Sequence, residues 1–177
     1  MSDDLHEIVS AGLKEHLARL WRYGFVLSGN RDSAEDLVQA TCLRALERAH
    51  QFQAGTHIDR WLFTILSSVW KNELRSQKIR QGSGFVDAED VLVADGAKQI
   101  ETNILASQVL REIQELPEVQ RTTVFLVYGE GLTYQEAADT LDVPIGTIMS
   151  RLASARAKLG KLNEDVSVVK KGKGQRE

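Results

Sequence analysis

The stretch TYQEAADTLDVPIGTIMSRL, residues 133–152, has the pattern of two short helices joined by a tight turn. Thr133 and Glu136 have the spacing of a capping box, in which each side chain binds the backbone N–H of the other residue. Asp142 falls where the chain must turn, and Asp is one of the few residues besides Gly that tolerate a left-handed backbone. The small residues Ala137 and Ala138 allow a second helix to cross closely. This pattern predicts a helix-turn-helix.

The second helix of this unit is predicted to begin at Pro144, because the first residue of a helix needs no N–H donor. Its apolar stripe is predicted to be buried and consists of Ile148, Leu152, Ala155 and Leu159. The opposite stripe consists of Thr147, Ser150, Arg151, Ser154 and Lys158. Small hydroxyl side chains permit close approach to a DNA major groove, and an Arg can reach guanine edges or phosphates. The alternative is a helical hairpin whose polar stripe only faces water, and Arg156 and Lys161 fit that alternative as well as a phosphate contact.

The composition of the 177 residues favours an all-α protein, since only two prolines accompany abundant Ala, Leu, Glu, Gln and Arg. No apolar run is long enough to cross a membrane, and the start MSDDLHEIVS is unlike an export signal, so we expect a cytoplasmic chain without direct membrane insertion. Cys42 is the only cysteine and no zinc-type spacing occurs, so neither a metal nor another cofactor is expected. The four histidines show no metal or triad pattern, which argues against an enzyme.

Charge is unevenly distributed along a chain whose formal net charge is −3. Residues 60–80 carry five basic side chains and one acidic one, whereas residues 81–107 carry five acidic side chains and one basic one. Residues 144–162 carry four basic side chains and no acidic one. Two basic patches around an acidic middle suit a protein that touches a polyanion at two separated places.

Helical periodicity and its interruption predict two domains. A first helical domain is expected over residues 1–80, with helices at 5–27, 32–50 and 58–80, and with a capping box formed by Asp32 and Glu35. An acidic flexible linker is expected over 81–101, where Gly and Asp interrupt the pattern. The second domain, 102–162, is expected to hold helices at 102–115, 117–128, 133–141 and 144–162, followed by a disordered tail at 163–177.

The helix expected at 58–80 carries a nearly straight polar and basic line, made of Arg60, Thr64, Ser67, Lys71, Arg75 and Lys78. Phe63 and Trp70, seven residues apart, lie beside this line. Cations next to aromatic rings form a platform on which unstacked bases can lie while phosphates are neutralised, so single-stranded nucleic acid is the predicted ligand. The alternative is that Trp61, Phe63 and Trp70 are ordinary core aromatics. Trp61 is expected in the core, next to Leu62, whereas Trp70 fits either the core or the platform.

The second helix, AEDLVQATCLRALERA at 34–49, is predicted to bury Val38, Cys42, Ala45 and Ala49. Asp36, Gln39 and Leu43 point elsewhere and mix an acid, an amide and an exposed leucine. That mixture is more typical of a protein-contact surface than of a phosphate-binding one.

The chain resembles bacterial RNA polymerase sigma factors of the extracytoplasmic-function type, in the sigma-70 family. The resemblance is carried by AEDLVQATCLRAL (34–46), by the spacing of Phe52 and RWLFTI, and by LPEVQRTTVFLVYGEGLTYQEAADTLDVPIGTIMSRLASARAKL (116–159), and it covers about residues 10–162. It implies two helical domains, region 2 and region 4, joined by a flexible linker. It also implies docking of Asp36, Gln39 and Leu43 on the clamp helices of the beta-prime subunit of core RNA polymerase, and a contact with the beta flap.

The same resemblance implies how promoter DNA would be bound. The basic helix would hold the melted minus-10 element as a single strand, with Arg60, Thr64, Ser68, Trp70, Lys71 and Arg75 in contact. The helix from Pro144 would read the minus-35 duplex through Thr147, Ser150, Arg151, Ser154, Arg156 and Lys158. Catalysis would stay with the polymerase, and an anti-sigma factor would hide both DNA faces until a signal arrives.

Some positions depart from the family pattern. Ser68 replaces an asparagine that helps to line the pocket for a flipped base, so the base preference at minus-10 does not transfer. Ala40 replaces a common glutamate, and Cys42 a common phenylalanine. Two other functions remain open: a sigma-like decoy that binds a sigma inhibitor without touching promoters, and a helix-turn-helix repressor that binds duplex DNA unaided.

Overall fold

The computed structural model describes residues 2–80 and 112–172, with side-chain surroundings at 4–80 and 112–160. Within these ranges all regular structure is helical, which confirms the all-α prediction. The predicted linker at 81–101 lies outside the described residues, as does most of the helix predicted at 102–115, of which 112–114 are helical. No helix in the described ranges is long and apolar enough to cross a bilayer.

Three helices form the first domain: α1 (Ser2–Ser28), α2 (Arg31–Glu47) and α3 (Ile58–Arg80), with a 3-10 turn at Ala49–Gln51. The predicted capping box of Asp32 and Glu35 is wrong. Asn30 has an extended backbone, and its side chain accepts a hydrogen bond of 3.0 Å from the N–H of Ser33, so α2 begins before Asp32.

The second domain contains α4 (Glu118–Val124), a π-helical turn (Phe125–Gly129), α5 (Tyr134–Leu141) and α6 (Ile145–Gly172). The helix predicted at 117–128 is therefore α-helical only in its first part. Helix α6 continues past 162, where the sequence pattern predicts a disordered tail, because no Pro or Gly interrupts residues 163–171. Residues 173–177 lie outside the described part of the chain.

The core of the first domain forms where α1, α2 and α3 pack against one another. Its largest fully buried side chains include Val9, Leu20, Tyr23, Leu62, Phe63 and Leu66. The start of α3 approaches α1 closely, since a Cβ atom on Gly12 would lie 2.4 Å from Cδ1 of Ile58. Leu17 lies at the edge of the buried stripe of α1 and is 48% exposed.

The two domains share one apolar core. Buried residues of α1 and α3 belong to the same contiguous cluster as Leu116 and Leu126 of the second domain. The rings of Tyr23 and Phe125 stack across the boundary, with centroids 5.7 Å apart and planes 6° from parallel. This packing brings α3 against α5, so the basic helix of the first domain lies beside the helix-turn-helix of the second.

Candidate nucleic-acid interface

The helix-turn-helix predicted from residues 133–152 is present. The hydroxyl of Thr133 accepts a hydrogen bond of 3.3 Å from the N–H of Glu136, and the Glu136 carboxylate accepts one of 2.8 Å from the N–H of Thr133. Asp142 ends α5 in the left-handed conformation, with φ 54° and ψ 54°. The predicted capping box and turn are both confirmed, and they fix how α6 leaves α5.

Helix α6 separates an apolar face from a polar one. Ile148, Leu152 and Ala155 have no exposed surface, and Leu159 is half-buried. The residues predicted to contact duplex DNA lie on or beside the outward face: Ser150, Ser154, Arg156 and Lys158 are exposed, and Thr147 and Arg151 are half-buried. The opposition of the two stripes therefore agrees with the sequence pattern, while contact with DNA stays a prediction.

The two arginines of this face differ in their surroundings. Burial lowers the pKa of Arg151, and the carboxylate of Glu118 acts in the opposite direction, so the guanidinium remains charged near neutral pH. Arg156 lies along its own helix, where Nε donates to the carbonyl of Leu152 at 3.3 Å.

Two exposed apolar residues of α6 were not predicted as part of this surface. Ile145 is 42% exposed and Met149 is 54% exposed, and their i, i+4 spacing places them on one side of the helix. Their exposure could have been predicted from the sequence, because both lie outside the buried stripe that contains Ile148 and Leu152. They add an apolar strip beside the hydroxyl side chains at the start of α6.

Three of the residues predicted to bind single-stranded DNA contact the second domain. Arg60 forms an ion pair of 2.5 Å with Glu136. Nε1 of Trp70 donates to Oε1 of Glu118 at 2.8 Å, and Nζ of Lys71 donates to the carbonyl oxygen of Leu141 at 2.5 Å. The predicted strand-binding face of α3 is therefore covered in part by the helix-turn-helix domain.

The other members of that face are more open. Thr64 is exposed, with its hydroxyl donating to the carbonyl of Arg60 at 3.0 Å. Arg75 is exposed and Ser68 is half-buried.

Two sequence-based assignments on α3 are wrong. Phe63, predicted to lie beside the basic line, is fully buried and packs edge-on against Tyr23 at 5.4 Å. Ser67, predicted to be in that line, is 3% exposed and shares a hydrogen bond of 2.7 Å with the hydroxyl of Tyr23. Both residues face α1. The buried part of the circumference of α3 is therefore wider than the positions of its aliphatic residues indicate. Trp61 packs against Phe52 at the edge of the core, as predicted.

A second set of contacts between the domains centres on Arg19 of α1. Its Nε lies 2.6 Å from Oε2 of Glu130, and a terminal nitrogen lies 3.1 Å from Oδ2 of Asp59. The guanidinium also lies over the ring of Phe63, at 5.2 Å from the centroid. Burial disfavours the charge on Arg19, but the hydrogen bonds and charges of Glu130 and Asp59 outweigh it and raise the pKa of Arg19.

Arg121 is a buried cation that also ties the domains together. Its side chain donates to the carbonyl of Val26 in α1 at 2.7 Å and to the carbonyl of Gln114 at 3.2 Å. Burial lowers the pKa of Arg121, and Glu118 acts in the opposite direction. Backbone carbonyls therefore satisfy a buried charge here.

The predicted protein-contact residues of α2 form an outward surface. Asp36, Gln39 and Leu43 are all exposed, Leu43 by 62%. Val38, Ala45 and Ala49 are buried, as predicted, whereas Cys42 is only half-buried. Burial raises the pKa of the Cys42 thiol, which keeps it protonated near neutral pH.

No metal site accompanies these surfaces within 2–80 and 112–172. The His, Cys, Asp and Glu residues of those ranges form no group of three or more that could hold a metal ion.

Known proteins resemble both domains. Residues 13–79 match the family model of Sigma-70 region 2, and residues 106–159 match that of Sigma-70, region 4. The ECF RNA polymerase sigma factor EcfG of Rhodopseudomonas palustris is 32% identical over 170 residues, covering 92% of this chain and 86% of the relative. The ECF RNA polymerase sigma factor SigE of Mycolicibacterium smegmatis is 32% identical over 150 residues, covering 83% of this chain and 58% of the relative.

A solved structure extends this similarity to the three-dimensional fold. The sigma factor RpoE from Bartonella quintana, co-crystallised with the anti-sigma factor NepR, superposes with a TM-score of 0.70 at 30% sequence identity. The match covers 88% of this chain and 96% of that one.

Proposed function

Because this chain belongs to the extracytoplasmic-function type of the sigma-70 family of RNA polymerase sigma factors, we propose that it binds core RNA polymerase and directs it to specific promoters. Sigma factors are initiation factors and not enzymes, so RNA synthesis is catalysed by the polymerase. Residues 1–80 would bind polymerase and the minus-10 element, residues 81–101 would link the domains, and residues 102–162 would bind the minus-35 element. Because RNA polymerase works in the cytoplasm, the chain would act there.

The helix-turn-helix is the observation that carries the proposal. A capped α5 and a left-handed Asp142 position α6 with a buried apolar face and an outward face of hydroxyl and basic side chains. A helix with such a face enters a major groove, where the N-terminal part of the helix approaches the bases. We assign minus-35 reading to Thr147, Ser150 and Arg151, with phosphate contacts from Ser154, Arg156 and Lys158.

For the minus-10 element, we assign capture of the melted strand to α3. Arg60, Lys71 and Arg75 would neutralise phosphates, and Trp70 would supply the aromatic surface for an unstacked base. Thr64 and Ser68 would donate hydrogen bonds beside them. The sequence pattern places two aromatic residues, Phe63 and Trp70, beside the basic line. Because Phe63 is buried, only Trp70 of these two can contact a base.

Contacts with polymerase are assigned to two surfaces. The exposed Asp36, Gln39 and Leu43 of α2 would dock on the clamp helices of the beta-prime subunit, since an exposed leucine flanked by polar groups is typical of a protein interface. The second domain would contact the beta flap. Promoter binding would then depend on polymerase, which fits a chain whose net charge is only −3.

An anti-sigma factor is the proposed regulator. The support is the structural similarity to RpoE of Bartonella quintana, which was crystallised with such a protein. Copurification of the chain from its native cell would test this proposal, because an inhibitor bound to it would be recovered with the chain.

Run-off transcription tests the function as a whole. Purified chain and core polymerase are incubated with a library of candidate promoter fragments, and transcripts are compared with those from core polymerase alone. We expect transcripts of defined start site only when the chain is present. A decoy that binds a sigma inhibitor would give no specific transcript, and a footprint on duplex DNA without polymerase would indicate an ordinary repressor.

A further inference from the structure

The outward face of α6 has a centre made of small side chains. At about 3.6 residues per turn, this centre lies opposite the buried stripe of Ile148, Leu152 and Ala155. Its exposed members are Gly146, Ser150, Ala153, Ser154 and Ala157. A Cβ atom added to Gly146 would have nothing within 4 Å. Nothing on this centre therefore keeps the helix away from the floor of a groove.

The two flanks of this centre differ in chemistry. One flank carries hydroxyl and basic side chains, namely Thr147, Arg151 and Lys158. The other flank begins with the apolar strip, which we define as Ile145 and Met149, and these residues are 42% and 54% exposed. A helix that enters a groove with its small residues first thus presents polar groups to one side and apolar groups to the other.

The apolar strip has no group that could hydrogen-bond to a base edge or a phosphate. In a major groove the apolar feature of a base pair is the C5 methyl group of thymine. Contact between this methyl group and an apolar side chain removes both from water, which is favourable. The side chain of Met149 is unbranched and polarisable, so it can adapt its shape to such a methyl group.

The dimensions of the strip match neighbouring base pairs. Residues four apart in a helix are separated by about 6 Å along its axis, and successive base pairs by about 3.4 Å. Ile145 and Met149 together therefore span roughly two base-pair steps. Arg156 follows on the same side, seven residues after Met149, where the proposed function has it contact a phosphate.

We propose that Ile145 and Met149 select thymines in the minus-35 element by contacting their C5 methyl groups. The inference rests on the proposed function of α6. Cytosine lacks the methyl group, and adenine presents an amino group whose burial against an apolar side chain is unfavourable. The strip therefore favours thymine over the other bases at neighbouring positions of the element.

The first test changes only the DNA. Each thymine of the minus-35 element, on either strand, is replaced singly by deoxyuridine, which lacks only the methyl group. The readout is the concentration of holoenzyme, made from the full chain and core polymerase, that gives half-maximal run-off transcript. At one or two neighbouring positions deoxyuridine is expected to raise this concentration roughly fourfold, the effect of one buried methyl-sized group.

Two DNA controls accompany this test. 5-Bromodeoxyuridine at a sensitive position is expected to restore the value for thymine, because bromine is close to a methyl group in size. Deoxyuridine between the minus-35 and minus-10 elements is expected to change nothing. These substitutions leave the protein unaltered, so their outcome does not depend on whether a variant folds.

The second test changes the strip and keeps its charge. I145Q/M149Q makes the strip polar, and I145L/M149L is the matched control that keeps it apolar. Gln and Leu are both good helix formers, and both positions are exposed, so α6 is retained in each variant. I145L/M149L is expected to distinguish thymine from deoxyuridine as wild type does, whereas I145Q/M149Q is expected to use both equally well.

Three results would overturn the proposal. Deoxyuridine could be tolerated at every minus-35 position. I145Q/M149Q could stay as sensitive to deoxyuridine as wild type, which would assign the methyl contact to another side chain. I145Q/M149Q could lose binding to core polymerase while I145L/M149L keeps it, which would make the strip a polymerase contact.

The same transcription assay separates this inference from the proposed function. If the holoenzyme starts at defined sites and tolerates deoxyuridine throughout the minus-35 element, the function stands and selection by methyl contact is refuted. If the holoenzyme starts at no defined site on any promoter, the proposed function fails, and the inference fails with it.

Discussion

Arg19 and Glu130, 111 residues apart in the chain, form an ion pair with 2.6 Å between Nε and Oε2. The side chain of Glu130 is only 5% exposed, and Arg19 also pairs with Asp59 of α3. One guanidinium therefore joins α1, α3 and the second domain.

Replacing Arg19 with Ala should lower the free energy of unfolding by about 1–3 kcal/mol, because Glu130 and Asp59 lose a charged partner and Glu130 stays largely buried. Urea unfolding followed by circular dichroism measures this change. Arg22→Ala is the matched control, since Arg22 is 55% exposed and lies 3.9 Å from the same carboxylate, and it should lower stability by less than about 1 kcal/mol. Equal losses in both variants would contradict the role given to Arg19.

Tyr23→Phe should lower the free energy of unfolding by about 1–2 kcal/mol, because it leaves the buried hydroxyl of Ser67 without its partner. Ser67→Ala should do the same to Tyr23. The double variant should lose less than the sum of the two single losses, since no unpaired hydroxyl remains. Additive losses in urea unfolding would show that the two hydroxyls do not interact.

Tyr23 should also make stability fall at alkaline pH. Burial raises the pKa of Tyr23, more than the hydrogen bond to Ser67 lowers it, so the folded chain keeps this proton when the unfolded chain loses it above about pH 10. The contribution of neutral Tyr23 is therefore complete below pH 10 and decreases as the pH rises further. Between pH 9 and 11, Tyr23→Phe should lose less stability than wild type.

Asp142→Ala should lower the free energy of unfolding by about 1 kcal/mol, because Ala resists the left-handed backbone at φ 54° more than Asp does. Asp142→Gly is the control, since Gly accepts this conformation, and its stability should stay within about 0.5 kcal/mol of wild type. Thermal unfolding followed by circular dichroism measures both changes. A larger loss in the Gly variant than in the Ala variant would mean that the Asp side chain, and not the backbone, sets the turn.

Arg151→Ala should reduce run-off transcription from a minus-35-dependent promoter by roughly five- to 150-fold, because a lost arginine contact to a base pair accounts for roughly 1–3 kcal/mol. Binding to core polymerase should be unchanged. Lys14→Ala, which removes one positive charge from an exposed position of α1, should transcribe like wild type. Loss of core binding in Arg151→Ala would refute its assignment to DNA.

Asp36→Ala combined with Gln39→Ala should weaken binding to core polymerase by about tenfold or more, since both side chains lie on the proposed clamp-contact surface. Glu47→Ala combined with Gln51→Ala is the control, because it removes the same two kinds of exposed side chain outside that surface. Affinity is measured by fluorescence anisotropy of labelled chain. Unchanged affinity of the first variant would exclude this surface from docking.

The sequence predicted the features that depend on near neighbours. Thr133 and Glu136 are three residues apart, and the turn depends on the left-handed backbone conformation of a single residue, Asp142. The helix-turn-helix could therefore be predicted without knowing what surrounds it. For α2 the local pattern pointed to Asp32, whereas Asn30 lay close enough to act as the cap. Local patterns therefore predicted helices well and one helix start incorrectly.

The residues that join the domains could not be predicted in this way. Glu118 meets Trp70 across 48 residues of chain, and Arg121 meets Val26 across 95. Helical spacing gives the direction of Phe63 around the axis of α3 relative to its neighbours. It does not give how much of the circumference of α3 is covered by α1. For that reason Phe63 and Ser67 were assigned to an open face although both are buried.

The order in which these contacts can form has a consequence for synthesis. A ribosome extends the chain from the N-terminus, and early domains fold before later ones are made. Arg60 and Trp70 emerge well before Glu136 and Glu118, so a nascent chain presents the basic helix α3 while the carboxylates that these two residues contact have yet to be translated. Prematurely terminated products that end before Glu118 therefore keep this basic helix available to any cellular polyanion, including the message being read.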